Sequence, residues 1–199
     1  MEKFPKQIGI TGGIGSGKSL ICKVFNCLGV PIYDADTRAK WLMSHKRELI
    51  ESIKETFGPQ SYSESGDLNR QYLAANVFSD QDKLQQLNGL VHPAVGEDYK
   101  EWVGKHGSSA YVIKEAALLF ESGSYKSLDT VITIYAPVAL RIKRTLMRDT
   151  QRNEKEVLAI IDKQLPESER QAKADFTIKN DDTTLVLLQV LKLHEKFMD

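Results

Sequence analysis

Four glycines within six residues, followed at once by a lysine and a serine, constrain this chain more than any other feature. The run is Gly12-Gly13-Ile14-Gly15-Ser16-Gly17-Lys18-Ser19, and it satisfies the spacing G-x-x-x-x-G-K-S/T in full. It follows residues 7–11, Gln-Ile-Gly-Ile-Thr, which read as a buried strand. It precedes a helical pattern from Lys18 to Leu28 that stops at Gly29. Glycines in that setting let the backbone curl so that successive N–H groups converge on an anion at a helix N-terminus. Lys18 then reaches the outer phosphates of a nucleoside triphosphate, and the Ser19 hydroxyl is positioned to ligate the magnesium that bridges them. A glycine turn serving packing alone needs neither that lysine nor that serine.

Val30-Pro31-Ile32-Tyr33 reads as a second strand, ending in Asp34-Ala35-Asp36. A strand, turn, helix and strand within the first 34 residues open an α/β fold with a parallel sheet. Residues 35–106 hold no convincing strand and read as consecutive helices, far more than a crossover needs. Asn69 and Asp80 suit N-caps, Pro93 suits a first helical turn, and Ser61 to Asp67 suits a loop. This stretch is expected to be an inserted helical substrate subdomain within one domain spanning 1–199. Ala110 to Ala116, continuing into Leu118-Leu119-Phe120, reads as a third strand, and Asp129 to Tyr135 as a fourth. A basic helix from Val138 to Arg148 and a second, capped by Asn153 and running to Gln164, follow. Phe176 to Ile178 reads as a fifth strand. Asp181 or Asp182 is expected to cap a last helix whose spacing aligns Leu185, Leu188 and Leu191.

Asp34 stands where a strand ends, and in an open parallel sheet the carboxyl ends of strands face the ligand crevice. A carboxylate there can take the proton of an attacking hydroxyl or hold magnesium; a helix N-cap is the plainer alternative. Glu115 and Glu121 are left open between a place near the metal and an exposed edge. Arg141, Lys143, Arg144 and Arg148 crowd one helix, with Arg141, Arg144 and Arg148 on one stripe. Three such cations repel one another unless an anion lies between them. The stripe therefore suits a lid, residues 138–173, that carries arginine to phosphates; a solvated charged face is the plainer alternative.

Taken together these residues resemble the dephospho-CoA kinase family. The matching pieces are Ile10 to Ser19, Asp34-Ala35-Asp36, Leu90-Val91-His92-Pro93, Leu118 to Glu121, Lys143-Arg144-Thr145 with Arg148-Asp149, then Gln164, Arg170, Ala174-Asp175, Ile178 and Asn180. The resemblance covers almost the whole chain. It implies a P-loop NTPase-type parallel five-stranded sheet flanked by helices, with the helical insert and a helical lid. It implies transfer of the ATP γ-phosphate, with Mg2+, to the ribose 3′-hydroxyl of 3′-dephospho-CoA, the last step of coenzyme A biosynthesis. By it, Asp34, Lys18 and Arg144 are catalytic. Gly13, Ile14, Gly15, Ser16, Gly17, Lys18, Ser19, Leu20, Arg148 and Asn180 bind ATP, with Asn180 near the adenine. Asp34 and His92 meet the acceptor. Leu20 stands where threonine is common in the family and Ala117 where proline is usual. The segment from Arg148 to Gln164 is about one residue longer than the resemblance leads one to expect.

Other function classes are bounded by composition. Lys+Arg and Asp+Glu are 27 each, so the net charge is zero. That argues against a nucleic-acid coat or a polybasic membrane binder, and no aromatics interleave the basic helix. No apolar run reaches 18 residues, and the start from Met1 to Pro5 lacks a secretory signal pattern, so the expected location is the cytoplasm. Cys22 and Cys27 read as small hydrophobes of one helix, with neither zinc nor redox spacing. Competing readings are another small-molecule kinase of the same architecture, and a nucleotide switch without its own acceptor. A guanine-reading N-K-x-D element is absent.

Overall fold

Strand β1 (Lys6–Thr11) is closed to solvent over most of its length, with Ile8 and Ile10 fully buried. A strand covered on both faces is a run of apolar residues rather than an alternation, which is how central parallel strands read. Gly9 serves the same closure, since a Cβ there would lie 2.7 Å from both Leu119 and Leu128. Beside β1 run β3 (Tyr111–Glu115) and β4 (Thr130–Tyr135), with β2 (Ile32–Asp34) and β5 (Phe176–Lys179) outermost. The sheet order is β2-β3-β1-β4-β5 and every pairing is parallel. All five carboxyl ends therefore share one edge. The computed structural model describes residues 4–77 and 80–198; the reading of Met1 to Lys3 lies outside them.

One face of the sheet carries the main core. Ile8, Ile10, Tyr111, Ile113, Ile132, Ile134 and Ile178 pack with Ile21, Cys22 and Phe25 of α1 (Lys18–Cys27) and with Val190 and Phe197 of α9 (Val186–Met198). Each fully buried side chain of this size contributes roughly 1.5–3 kcal/mol of transfer free energy. After β4 the chain forms α6 (Val138–Arg148), α7 (Glu154–Lys163) and α8 (Glu167–Lys173). Asn153 caps α7 in a reciprocal pair with Glu156, as the sequence predicts.

Residues 35–102 form a compact unit of their own, separate from the sheet-bearing unit made by the segments up to Asp34 and from Val103 onward. Its helices are α2 (Ala35–His45), α3 (Arg47–Phe57), α4 (Arg70–Val77) and most of α5 (Gln81–Gly104). Leu42, Leu49, Ile53, Phe57, Leu73, Val91 and Tyr99 are buried in it. The Arg38 guanidinium donates twice to the Asp98 carboxylate, and Lys46 donates to Glu97 at 2.7 Å, joining α2 and its end to α5. Asn69 and Asp80 accept backbone N–H groups from Tyr72 and Lys83, as caps should.

Four expectations fail. Pro93 lies inside α5 rather than in a first turn; packing of Val91, Ala94 and Val95 outweighs the interrupted hydrogen bond. Leu118 to Phe120 do not extend β3, which stops at Glu115 before a series of turns. The last helix starts at Val186, because Asp181 folds its carboxylate back onto the N–H groups of Thr183 and Thr184 in a local turn. Leu185 and Leu188 are exposed, and Val190 and Phe197 are buried instead.

Candidate active site

The glycine run joins the end of β1 to the start of α1 at the carboxyl edge. Gly17, at φ 93°, is the residue before the first helical position and supplies no side-chain cap. Gly15, at φ 76°, also takes a left-handed conformation, and a Cβ on it would come within 2.2 Å of the Arg141 carbonyl. The loop's carbonyls are engaged by side chains: Lys18 Nζ donates to Gly12 O at 3.0 Å, Arg141 Nε to Ile14 O at 2.9 Å, and Asn180 Nδ2 to Ser16 O at 2.8 Å. The Ile14 N–H donates to Gln164 Oε1 at 2.9 Å. Leu20 donates its N–H to Gly17 O, and its side chain faces solvent. The Ser16 hydroxyl is buried with no hydrogen-bond partner, which is costly unless something else satisfies it. A buried orphan hydroxyl in a nest of glycines suits phosphate oxygens.

Carboxylates gather at the neighbouring strand ends. Ser19 Oγ donates to Glu115 Oε1 at 2.8 Å, and Glu115, the last residue of β3, is buried. Its partner across the ladder is Asp34, the last residue of β2, which is half-buried. The alternative left open for Glu115 is thus decided for the cradle, not for an exposed edge. Burial pushes the Cys22 thiol up, with Glu115 and Asp34 adding to the shift and Lys18 opposing it; it remains a protonated core residue. Cys27 is exposed, so the reading of both cysteines as hydrophobes holds for one. Glu121 accepts the Leu165 N–H at 2.9 Å, beyond the end of α7.

The three arginines of α6 each meet different partners within the chain. Arg141 is buried and gives NH1 to Glu167 at 3.3 Å and NH2 to Gln164 at 3.4 Å. Arg144 donates to Asn180 O at 3.0 Å and pairs with Asp182. Arg148 is exposed and pairs with the adjacent Asp149, which Arg152 also meets. Carboxylates of the chain itself therefore relieve the repulsion that the spacing creates. Residues 4–34 and 103–198 bring together Gly12 to Ser19, Leu20, Asp34, Glu115, Arg141, Arg144 and Asn180 around one sheet edge, with Arg148 one turn beyond Arg144. His92 belongs to the helical unit, where it is exposed on α5. Sequence reasoning missed Arg141's bond to the loop, because nothing in a basic run separates a buried member from its neighbours. Gln164 stood in the family pattern without a stated role.

Residues 6–185 match the family described as dephospho-CoA kinase. The chain belongs to the dephospho-CoA kinase family. A dephospho-CoA kinase of Porphyromonas gingivalis is 39% identical over 188 residues, covering 94% of this chain and 92% of that protein. A dephospho-CoA kinase from Campylobacter jejuni of known structure superposes with a TM-score of 0.70 at 28% identity, covering 96% of both chains. A crystal structure of a Thermus thermophilus protein gives a TM-score of 0.86 at 33% identity over 98% of both. These likenesses cover the segments of both the sheet-bearing unit and the helical unit.

Proposed function

We propose that this protein is a kinase that transfers the γ-phosphate of ATP to the ribose 3′-hydroxyl of 3′-dephospho-CoA, giving CoA and ADP, the last step of coenzyme A biosynthesis. The observation that carries the reading is the juxtaposition, at one sheet edge, of a lysine-bearing glycine cradle with Ser19, Glu115 and Asp34, in a chain of this family. The backbone of residues 13–19, with the Ser16 hydroxyl, binds phosphate oxygens. Lys18 stabilises charge on the transferred group, an interaction stronger in the transition state than before it. Asp34 orients the acceptor hydroxyl and takes its proton. Arg144 and Arg148, in the 138–173 region proposed as the lid, exchange their carboxylate partners for phosphate.

Magnesium fits this site. The observation that fits it is an oxygen-only donor set beside the cradle, the Ser19 hydroxyl with the Glu115 carboxylate against it. Ser19 would ligate it, with Glu115 holding the Ser19 hydroxyl in place. A bound ion would supply neutralisation of the charge that develops on the phosphates. Asn180, which holds the Ser16 carbonyl, is proposed to lie near the adenine, and His92, on the helical unit, is proposed to meet the acceptor. The proposed setting is the cytoplasm, with a small-molecule acceptor and neither nucleic acid nor membrane as partner; no helix among the described residues is long and apolar enough to cross a membrane. Coupled ADP release tests the reading. Turnover with ATP should require dephospho-CoA and yield CoA; turnover with AMP or CMP in its place, and none with dephospho-CoA, would overturn it.

A further inference from the structure

Three carbonyls of the glycine run, at alternate residues, are each held by a different side chain: Gly12 by Lys18, Ile14 by Arg141 and Ser16 by Asn180. A trans peptide sends its carbonyl and the following N–H in opposite directions. Anchoring each carbonyl therefore turns the N–H of Gly13, Gly15 or Gly17 away from that anchor. The glycines are complementary to the same anchors. A Cβ on Gly13 would lie 2.0 Å from the Arg141 guanidinium, one on Gly15 2.2 Å from the Arg141 carbonyl, and one on Gly17 2.3 Å from the Asn180 amide. The space that a side chain would fill is thus occupied by the groups that fix the loop.

The anchor at Ile14 is double. Arg141 takes its carbonyl, and Gln164, the residue ending α7, takes its N–H. Arg141 NH2 also meets the same Gln164 oxygen. Behind them, Glu167 accepts from Arg141 and from Arg170, and Arg170 NH2 donates to Leu165 O. Both arginines are 2% exposed. Two buried guanidiniums against one carboxylate leave this triad with a net positive charge beside the cradle, where it favours an anion.

We propose that Arg141 and Gln164 are positioning residues for phosphate binding, clamping Ile14 by its carbonyl and its N–H, on two successive peptides, so that the cradle is preformed before nucleotide arrives. The proposal rests on the nucleotide-binding part of the proposed function and is independent of which acceptor is used. A preformed cradle avoids an ordering cost on binding. Neither residue needs to touch the nucleotide for this. The clamp also links the start of the cradle to the α7–α8 junction, so movement of that segment is felt at Ile14.

The test uses ADP and AMP as probes, with affinities measured by titration calorimetry on the full chain. Gln164→Leu should weaken ADP about 3–10-fold, and Arg141→Gln about 10–100-fold, from the loss of one neutral and one charge-assisted hydrogen bond. AMP, which lacks the second phosphate, should change by less than about twofold. The ADP-over-AMP preference then shrinks, which a general loss of stability would not produce. Hydrogen exchange at the Ile14 amide of the nucleotide-free protein should quicken in Gln164→Leu and stay slow in Gln164→Glu, which keeps an acceptor oxygen. An unchanged ADP-over-AMP preference in folded Gln164→Leu overturns the clamp, as does exchange in Gln164→Glu as fast as in Gln164→Leu. Should Arg141→Gln fail to fold, Gln164→Leu decides alone, since Gln164 is only half-buried. Failure of wild-type protein to phosphorylate dephospho-CoA would count against the functional reading and leave these measurements interpretable.

Discussion

The glycine cradle and helix α6 both look, in sequence, like short runs of one residue type with one purpose, and the fold treats them differently. Within residues 12–19 the glycines behave alike. Each yields its side-chain space, and the run delivers a single object, a curled loop ending in Lys18 and Ser19. In α6 the three arginines at 141, 144 and 148 meet three fates. Arg141 is buried as a loop anchor, Arg144 holds the segment at Asn180 and Asp182, and Arg148 stays exposed beside Asp149. The left-handed conformations of Gly15 and Gly17 are a local demand that the residue type itself announces. A long guanidinium has no assigned role until the fold brings an acceptor to it.

The sharpest way to break this comparison is at the cradle. Lys18→Ala should reduce kcat by about 10²–10³, the weight of one donor to developing charge, while the unfolding temperature without nucleotide barely moves. Near-normal turnover in that folded variant would mean the glycine run is only a tight turn. Next in size is Asp34→Asn, which keeps shape but loses the ability to accept a proton. Because phosphoryl transfer has little nucleophile bond formation at its transition state, the fall in kcat should be near the lower end for a positioned base, about 10²-fold, with ATP binding retained. Loss of ATP binding instead would assign Asp34 to magnesium, and an unchanged kcat would leave it a helix cap with Glu115 next to be tested.

A smaller effect would sharpen the contrast among the arginines. Arg144→Ala should lower kcat about 10-fold through weakened charge stabilisation, with less than about 1 kcal/mol lost in thermal unfolding, because its partner Asp182 is largely exposed. If kcat survives and stability alone drops, Arg144 is a clamp on the 180–182 loop and nothing more. The smallest expected change lies in that loop. The N–H groups of Thr184 and Thr183 hold the Asp181 carboxyl down at about 2, below its ordinary 3.8. A carboxyl depressed on folding stabilises above its unfolded pKa and loses that contribution as pH falls through the folded one. The turn should therefore loosen as pH falls from near 4 towards 2, read as faster hydrogen exchange at Thr183 and Thr184. Asp181→Asn should flatten that dependence; an unchanged profile would show that the turn does not depend on the charge.

Much of the fold was legible because parallel-sheet proteins write their strands as short apolar runs next to glycine and proline. β1, β4 and β5 fall within a residue of the segments expected for them, and α6 spans Val138 to Arg148 as read. What misled was information of longer range. Leu118-Leu119-Phe120 looks like strand because it is apolar, but Leu119 and Phe120 are buried from a turn. Leu185 and Leu188 looked like a core face, yet the helix rotates to bury Val190 and Phe197, a choice made by the sheet they pack on. In the site, Gly12 to Ser19 and Asp34 could be singled out from residue type and place. Glu115 could not be decided, because its burial and its bond to Ser19 depend on the parallel register of β3 with β1 and β2.

The sequence by itself determined that this chain carries a phosphate cradle between a strand and a helix, since the conformations required there belong to glycine and the chemistry to an adjoining lysine and serine. It also determined the presence of a helical insert, through the absence of strand patterns over residues 35–106. Only the tertiary structure decided what stabilises the cradle. Arg141 lies 127 residues from Ile14 along the chain, Gln164 lies 150 away, and Asn180 lies 164 from Ser16. Hydrogen bonds act over about 3 Å whatever the sequence separation, so partners of that kind are chosen by the path of the chain through the sheet and its crossovers, and no local pattern records them.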